Sequence, residues 1–131
     1  MSRITSLGLV AVLLLSACGE NSNSNGEQGA CTASIDAGIW IRVLENVSGN
    51  SISCGARAVV TASGYSEVVD NPAIPGCLND TWLAAAHERP GTYAITVSRT
   101  GYFDFTVNNV EVTPGGCHVN TVTVEARLIS R

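Results

Sequence analysis

The chain has 131 residues, 7 arginines against 11 acids and a net charge of −4, so it holds one domain and no basic stripe for nucleic acid. Charged residues are only 14 %, while apolar residues at 45 % are enough to bury a core. Two histidines and a single methionine, Met1, remove most metal and electron-transfer chemistry, and no cofactor is expected.

In chain order the first element reads as an export signal. Arg3 supplies the positive start, and residues 7–17 form an apolar run of eleven. That length fits the ~7–15 residues of a signal core and falls short of the ~20 that a membrane span needs. The run ends in Leu15-Ser16-Ala17-Cys18. This resembles the lipobox of bacterial lipoproteins, in which small residues precede a lipid-bearing cysteine. The resemblance implies a signal peptide over residues 1–17, a diacylglycerol thioether on Cys18, and N-acylation by a chain such as palmitate after cleavage. One acyl chain binds a membrane marginally and two or more hold it, at about 0.8 kcal/mol per buried CH2. Gly19 stands where those lipoproteins carry Asp for inner-membrane retention, which implies the outer membrane of the cell envelope.

Residues 18–30 read as a flexible tether. Glu20 to Ala30 carries no aliphatic side chain larger than alanine and cannot build a core. Its eleven residues give roughly 17–20 Å of root-mean-square reach.

The fold is expected over residues 31–131, as short strands of period two. Ile39, Ile41 and Val43 alternate with Trp40 and Arg42. The same pattern runs through Ala56, Ala58 and Val60, then Tyr93, Ile95 and Val97, then Phe103, Phe105 and Val107. Val110 and Val112 read as a short continuation after Asn108-Asn109, and Val122, Val124, Ala126 and Leu128 as the last strand. Turns are marked by Ser63-Gly64, Pro90-Gly91, Thr100-Gly101 and Pro114-Gly115-Gly116. Residues 82–87 read as extended, because Leu83-Ala84-Ala85-Ala86 is short and uncapped and Pro90 follows. Residues 70–81, with Pro72, Pro75 and Gly76, read as an irregular loop. Six or seven strands in this length predict an all-β sandwich.

Glu88-Arg89-Pro90-Gly91-Thr92-Tyr93, an alternating strand, Gly101-Tyr102, Val110-x-Val112 and Cys117-His118-Val119 resemble the carboxypeptidase regulatory-like domain. The resemblance spans about Gly38 to Leu128. It implies a seven-stranded Greek-key sandwich, prealbumin-like or immunoglobulin-like, and a module that is usually non-catalytic. Transthyretin-like hydrolases share the architecture but end in Tyr-Arg-Gly-Ser, where this chain reads Leu128-Ile129-Ser130-Arg131.

With Cys18 lipidated, four cysteines remain in an oxidising compartment, and three pairings are open. The resemblance places the first strand parallel to a late one. That implies Cys31–Cys117 at one end of the fold, and Cys54–Cys77 pinning the long loop.

Catalytic residues are not expected. No G-x-S-x-G elbow accompanies His87 or His118. A blue-copper set built on Cys117-His118 would need a methionine, but Met1 is lost with the signal and Cys117 is better used in a bond, so no metal is expected. Asp104, Glu111 and Glu125 read as a solvated sheet face and not as a glycosidase pair. Glu88-Arg89 reads either as a recognition loop or as an ion pair fixing the Pro90-Gly91 turn, and His118 as a turn residue. Trp40 and Trp82 either pack half-buried or stack on a sugar. The expected protein is a non-catalytic envelope lipoprotein, joined to the membrane by its anchor, with an envelope protein or a glycan as partner. A carbohydrate- or peptide-binding module is the alternative, and a transthyretin-like hydrolase a further one.

Overall fold

The computed structural model describes residues 30–131. The expected signal peptide, Cys18 and all of the expected tether but Ala30 lie outside the described residues.

The described chain folds into eight strands and no helix. β1 (Ile39–Glu45), β4 (Leu83–Ala85) and β8 (Val122–Leu128) form one sheet in the order β4-β1-β8. β2 (Ala56–Ala62), β3 (Tyr65–Asn71), β5 (Gly91–Ser98), β6 (Phe105–Pro114) and β7 (Val119–Asn120) form the other, in the order β3-β2-β5-β6-β7. The alternation read from the sequence decides which face of each strand is dry. Ile39, Ile41 and Val43 of β1, Ala58 and Val60 of β2, Tyr93, Ile95 and Val97 of β5, and Ala126 and Leu128 of β8 belong to one buried cluster. Full burial of a Val, Leu or Ile side chain stabilises by about 1.5–3 kcal/mol. Tyr93 buries its ring, and its hydroxyl donates to the Arg89 carbonyl at 2.7 Å.

β1 and β8 run parallel in continuous register, from Ile39 opposite Val122 to Glu45 opposite Leu128. Both strands therefore start at one pole of the sandwich, and β5 starts there too, because Gly38 N–H donates to the Ala86 carbonyl just before it. At that pole Gly38 admits no side chain: a Cβ would stand 2.5 Å from the Ala86 carbonyl oxygen. Gly101, at the opposite pole, turns with φ +85°, as its position in the Thr100-Gly101 turn required.

Three departures from the expected strands have physical causes. β3 was not anticipated. It returns from β2 through the two-residue turn Ser63-Gly64, with Ala62 paired to Tyr65 and Gly64 at φ 68°. Its half-buried face carries Tyr65, Glu67 and Val69, so an acid interrupts the apolar alternation. β6 does not stop at Asn108-Asn109. A bulge lets these two residues span Ala94 alone, between the Tyr93–Val110 and Ile95–Val107 pairs, with Asn109 at φ 58°. Phe103 was expected within that strand; it precedes β6 and is 55 % exposed. Of residues 82–87, read as extended, Leu83–Ala85 form β4 and pair with β1, whereas Ala86 turns out of the strand at φ 52°.

Candidate functional site

Two disulfides staple the fold. Cys31 bonds Cys117, with Cα atoms 5.3 Å apart, and Cys54 bonds Cys77, with Cα atoms 5.9 Å apart. These are the pairs implied by the resemblance. The parallel β1–β8 pairing accounts for the first, since the segments entering both strands leave from one pole. The second pins the loop after β3, which Ser53 also holds: its buried hydroxyl donates to the Leu78 carbonyl at 3.2 Å and accepts from Asn71 Nδ2 at 2.9 Å.

A polar cluster sits beside the Cys31–Cys117 bridge. The chain kinks sharply after β4, where Ala86 and Glu88 take φ of 52° and 49°. Non-glycine residues in this region store strain of about 1–3 kcal/mol each, which the surroundings must offset. Here the Glu88 N–H donates to the Asp36 carbonyl at 3.0 Å, and the Glu88 carboxylate accepts from Asp36 N–H at 2.8 Å and Val119 N–H at 3.3 Å. His118 Nδ1 lies 2.6 Å from the same carboxylate. The Asp36 N–H bond first, then the His118 contacts, hold the Glu88 carboxyl below the usual carboxylate range. An ionised Glu88 makes Nδ1 the protonated nitrogen. Nε2 faces the Thr32 hydroxyl at 3.0 Å and the Ser34 hydroxyl at 3.4 Å.

The order hydroxyl, imidazole, carboxylate is that of a nucleophile, its base and the acid that orients the base. No local sequence pattern shows it, because Thr32 and Ser34 lie 86 and 84 residues from His118. His118 is therefore more than a turn residue. One donor atom each from Asp36, Glu88 and His118 also falls within 4.8 Å of the others. Glu88 already accepts three hydrogen bonds, so a cation there would have to displace donors. Glu88 and Arg89 form no ion pair with each other. Arg89 turns away, and its guanidinium carbon lies 4.2 Å from the centre of the Tyr65 ring. His87 is exposed.

The second constellation is the outer face of the three-stranded sheet. Alternation that buries Ile39, Ile41 and Val43 sends Trp40 and Arg42 outward. Trp40 lies between Ala84 of β4 and Thr123 of β8. The antiparallel register brings Trp82, just ahead of β4, beside Arg42, whose guanidinium carbon is 5.9 Å from the indole centre. Trp40 is 38 % and Trp82 41 % exposed, so neither ring is used up by the core. Glu125 on β8 lies 3.6 Å from Arg42 and 2.9 Å from Arg127. Arg42 Nε is buried here without a hydrogen-bond partner. The face thus presents two indoles and, between and beside them, charged hydrogen-bonding groups.

No protein-family model matches this chain, and no curated protein matches it.

Proposed function

We propose that the protein is a lipid-anchored, non-catalytic module of the bacterial cell envelope that binds carbohydrate on the Trp40–Trp82 face. The observation that carries the binding part is the pair of indoles. The chain has only two tryptophans, and both lie more than one-third exposed on one open sheet face. A pyranose has an apolar C–H face and a rim of hydroxyls. The first suits an indole, and the second suits Arg42, Glu125 and Thr123 around it. The lipobox ending at Cys18 supports the anchor, and the parallel β1–β8 pair within the three-stranded sheet supports a prealbumin-like Greek key.

Two measurements test this. Cys18→Ser should move the protein from the membrane fraction to the soluble one, and persistent attachment refutes the anchor. Tryptophan fluorescence titrated with envelope glycans should saturate. Trp82→Ala should weaken the binding about 30-fold, the loss of a ~2 kcal/mol contact. Absence of binding to any envelope glycan or extract removes the carbohydrate reading.

The Thr32–His118–Glu88 alignment favours a second reading, a hydrolase. Ester or amide hydrolysis that disappears in His118→Ala but survives in His87→Ala would establish it.

A further inference from the structure

The described residues contain six arginines: Arg42, Arg57, Arg89, Arg99, Arg127 and Arg131. Three of them, Arg57, Arg99 and Arg131, line one cleft of about 440 Å³. The cleft lies where β2 begins and β5 ends, since Arg57 pairs with Ser98, at the pole away from the Cys31–Cys117 bridge. Half of the described arginines of an acidic protein converge there, and Asp104 is the single acidic side chain in the lining.

The way these side chains are held separates them from an ordinary solvated surface. Arg99 Nε donates to the Cys54 carbonyl at 2.8 Å, and its guanidinium carbon lies 5.0 Å from the centre of the Tyr102 ring. Arg131 repeats the device. Its Nε donates to the Tyr102 carbonyl at 2.9 Å, and its guanidinium carbon lies 5.2 Å from the Phe103 ring centre. Each guanidinium is thus fixed through one nitrogen and one ring. The terminal nitrogens of both make no hydrogen bond among the described residues. Arg57 has a carboxylate partner, Asp70, at a loose 3.5 Å and in an exposed position. Like charges gathered in one cleft repel, and neither Arg99 nor Arg131 recovers that cost through an ion pair among the described residues.

We propose that this cleft binds a phosphate-type oxyanion. Oriented guanidinium forks with open edges are the geometry of bidentate phosphate and carboxylate recognition. A planar carboxylate offers two oxygens, whereas a tetrahedral phosphate can accept from three guanidinium groups at once. The phosphate could belong to a lipid headgroup or to a soluble compound, and the chemistry of recognition is common to both.

The test uses residues 18–131 carrying Cys18→Ser, so that no anchor contributes to membrane binding. Isothermal titration with inorganic pyrophosphate, and co-sedimentation with phosphatidylcholine vesicles with and without phosphatidylglycerol, form its two arms. Saturable binding that weakens as sodium chloride rises is expected in at least one arm. The double variant Arg99→Gln, Arg131→Gln should lose at least tenfold in affinity, while Arg42→Gln, Arg127→Gln on the tryptophan face should not change it. Arg99→Lys keeps the charge and loses the fork, and should fall between wild type and the double variant. Circular dichroism of each variant checks the fold; if the double variant unfolds, the Arg99→Lys comparison decides. Binding to pyrophosphate alone assigns a soluble phosphate, and binding confined to phosphatidylglycerol vesicles assigns a headgroup. No saturable binding in either arm, or equal binding in wild type and in the folded cleft variants, overturns the proposal. The outcome does not depend on the carbohydrate reading, whose residues lie on another face.

Discussion

Glu67 is the acid that hid β3, and its removal should be costly. Its carboxylate accepts from the Tyr65 hydroxyl at 2.6 Å and from the Ala86 N–H at 2.9 Å. Tyr65 and Glu67 belong to the five-stranded sheet, whereas Ala86 directly follows β4 of the three-stranded one. The carboxylate therefore ties the two sheets across an open edge. Ala86 is fully buried, so Glu67→Ala leaves its N–H without a partner, at a cost of about 1–3 kcal/mol. Losing the charge-assisted bond from Tyr65 adds to this, though the half-buried hydroxyl can turn to water, and the total expected is about 2–4 kcal/mol. A second readout is independent of stability. The Tyr65 hydroxyl is pushed up to about 12, first by burial and then by the bond to Glu67 and its charge. In Glu67→Ala it should fall but stay above the ordinary value of 10, because burial remains. Urea denaturation gives the first quantity. Tyrosinate absorbance, with Tyr65→Phe as the subtraction control, gives the second. A loss below about 1 kcal/mol together with an unmoved tyrosine titration would refute the tie.

Three further outcomes follow from the same geometry. Replacing Cys54 and Cys77 by Ser should cost about 3.4 kcal/mol at most in urea denaturation, the loop-closure value for their separation of 23 residues. Gly38→Ala drives a methyl against the Ala86 carbonyl and should lower stability by about 2–3 kcal/mol, measured as a fall in midpoint at unchanged slope. Glu88 has a folded-state pKa below its ordinary 4.5, so its contribution is present above about that pH and is lost as pH falls through the lower folded value. Glu88→Gln should flatten the acid limb of stability against pH, only in part, because Glu45 is shifted in the same direction by Ser48 and Val47.

The dry faces of β1, β2, β5 and β8 were legible because apolar residues recur at every second position, even where Trp40, Val59 and Ala94 stand between them. β3 was not, since Glu67 stands where the pattern wants an apolar side chain and is satisfied by partners remote in sequence. The break in β6 was misplaced for a related reason. Asn108-Asn109 is a strong turn signal, and only pairing with β5 shows that it is spent on a bulge. Trp40 was legible as an outward position, but exposure of both indoles depends on β4 pairing with β1, which no local pattern reveals. The His118 cluster depends on Thr32, Ser34 and Asp36, residues that precede the first strand and carry no periodicity.

The two bridges also divide the molecule electrostatically. At the Cys31–Cys117 pole, the Glu88 charge is met by two backbone N–H groups and by His118. At the other pole, Arg99 and Arg131 are oriented by backbone carbonyls, which place a cation without neutralising it. The eight residues of β5 run from one pole to the other, a span of roughly 26 Å. That is well beyond the ~8 Å screening length of physiological salt, so the Glu88 charge does not offset the arginines of the far pole. The Cys54 carbonyl that holds Arg99 belongs to the second disulfide, so the bridge and the proposed oxyanion cleft share one piece of backbone. Reduction of Cys54–Cys77 should then weaken pyrophosphate binding even where the sandwich stays folded. Reduction of Cys31–Cys117 should leave that binding as it was. Equal effects from both bridges would mean that overall stability, and not the placement of Arg99, sets the affinity.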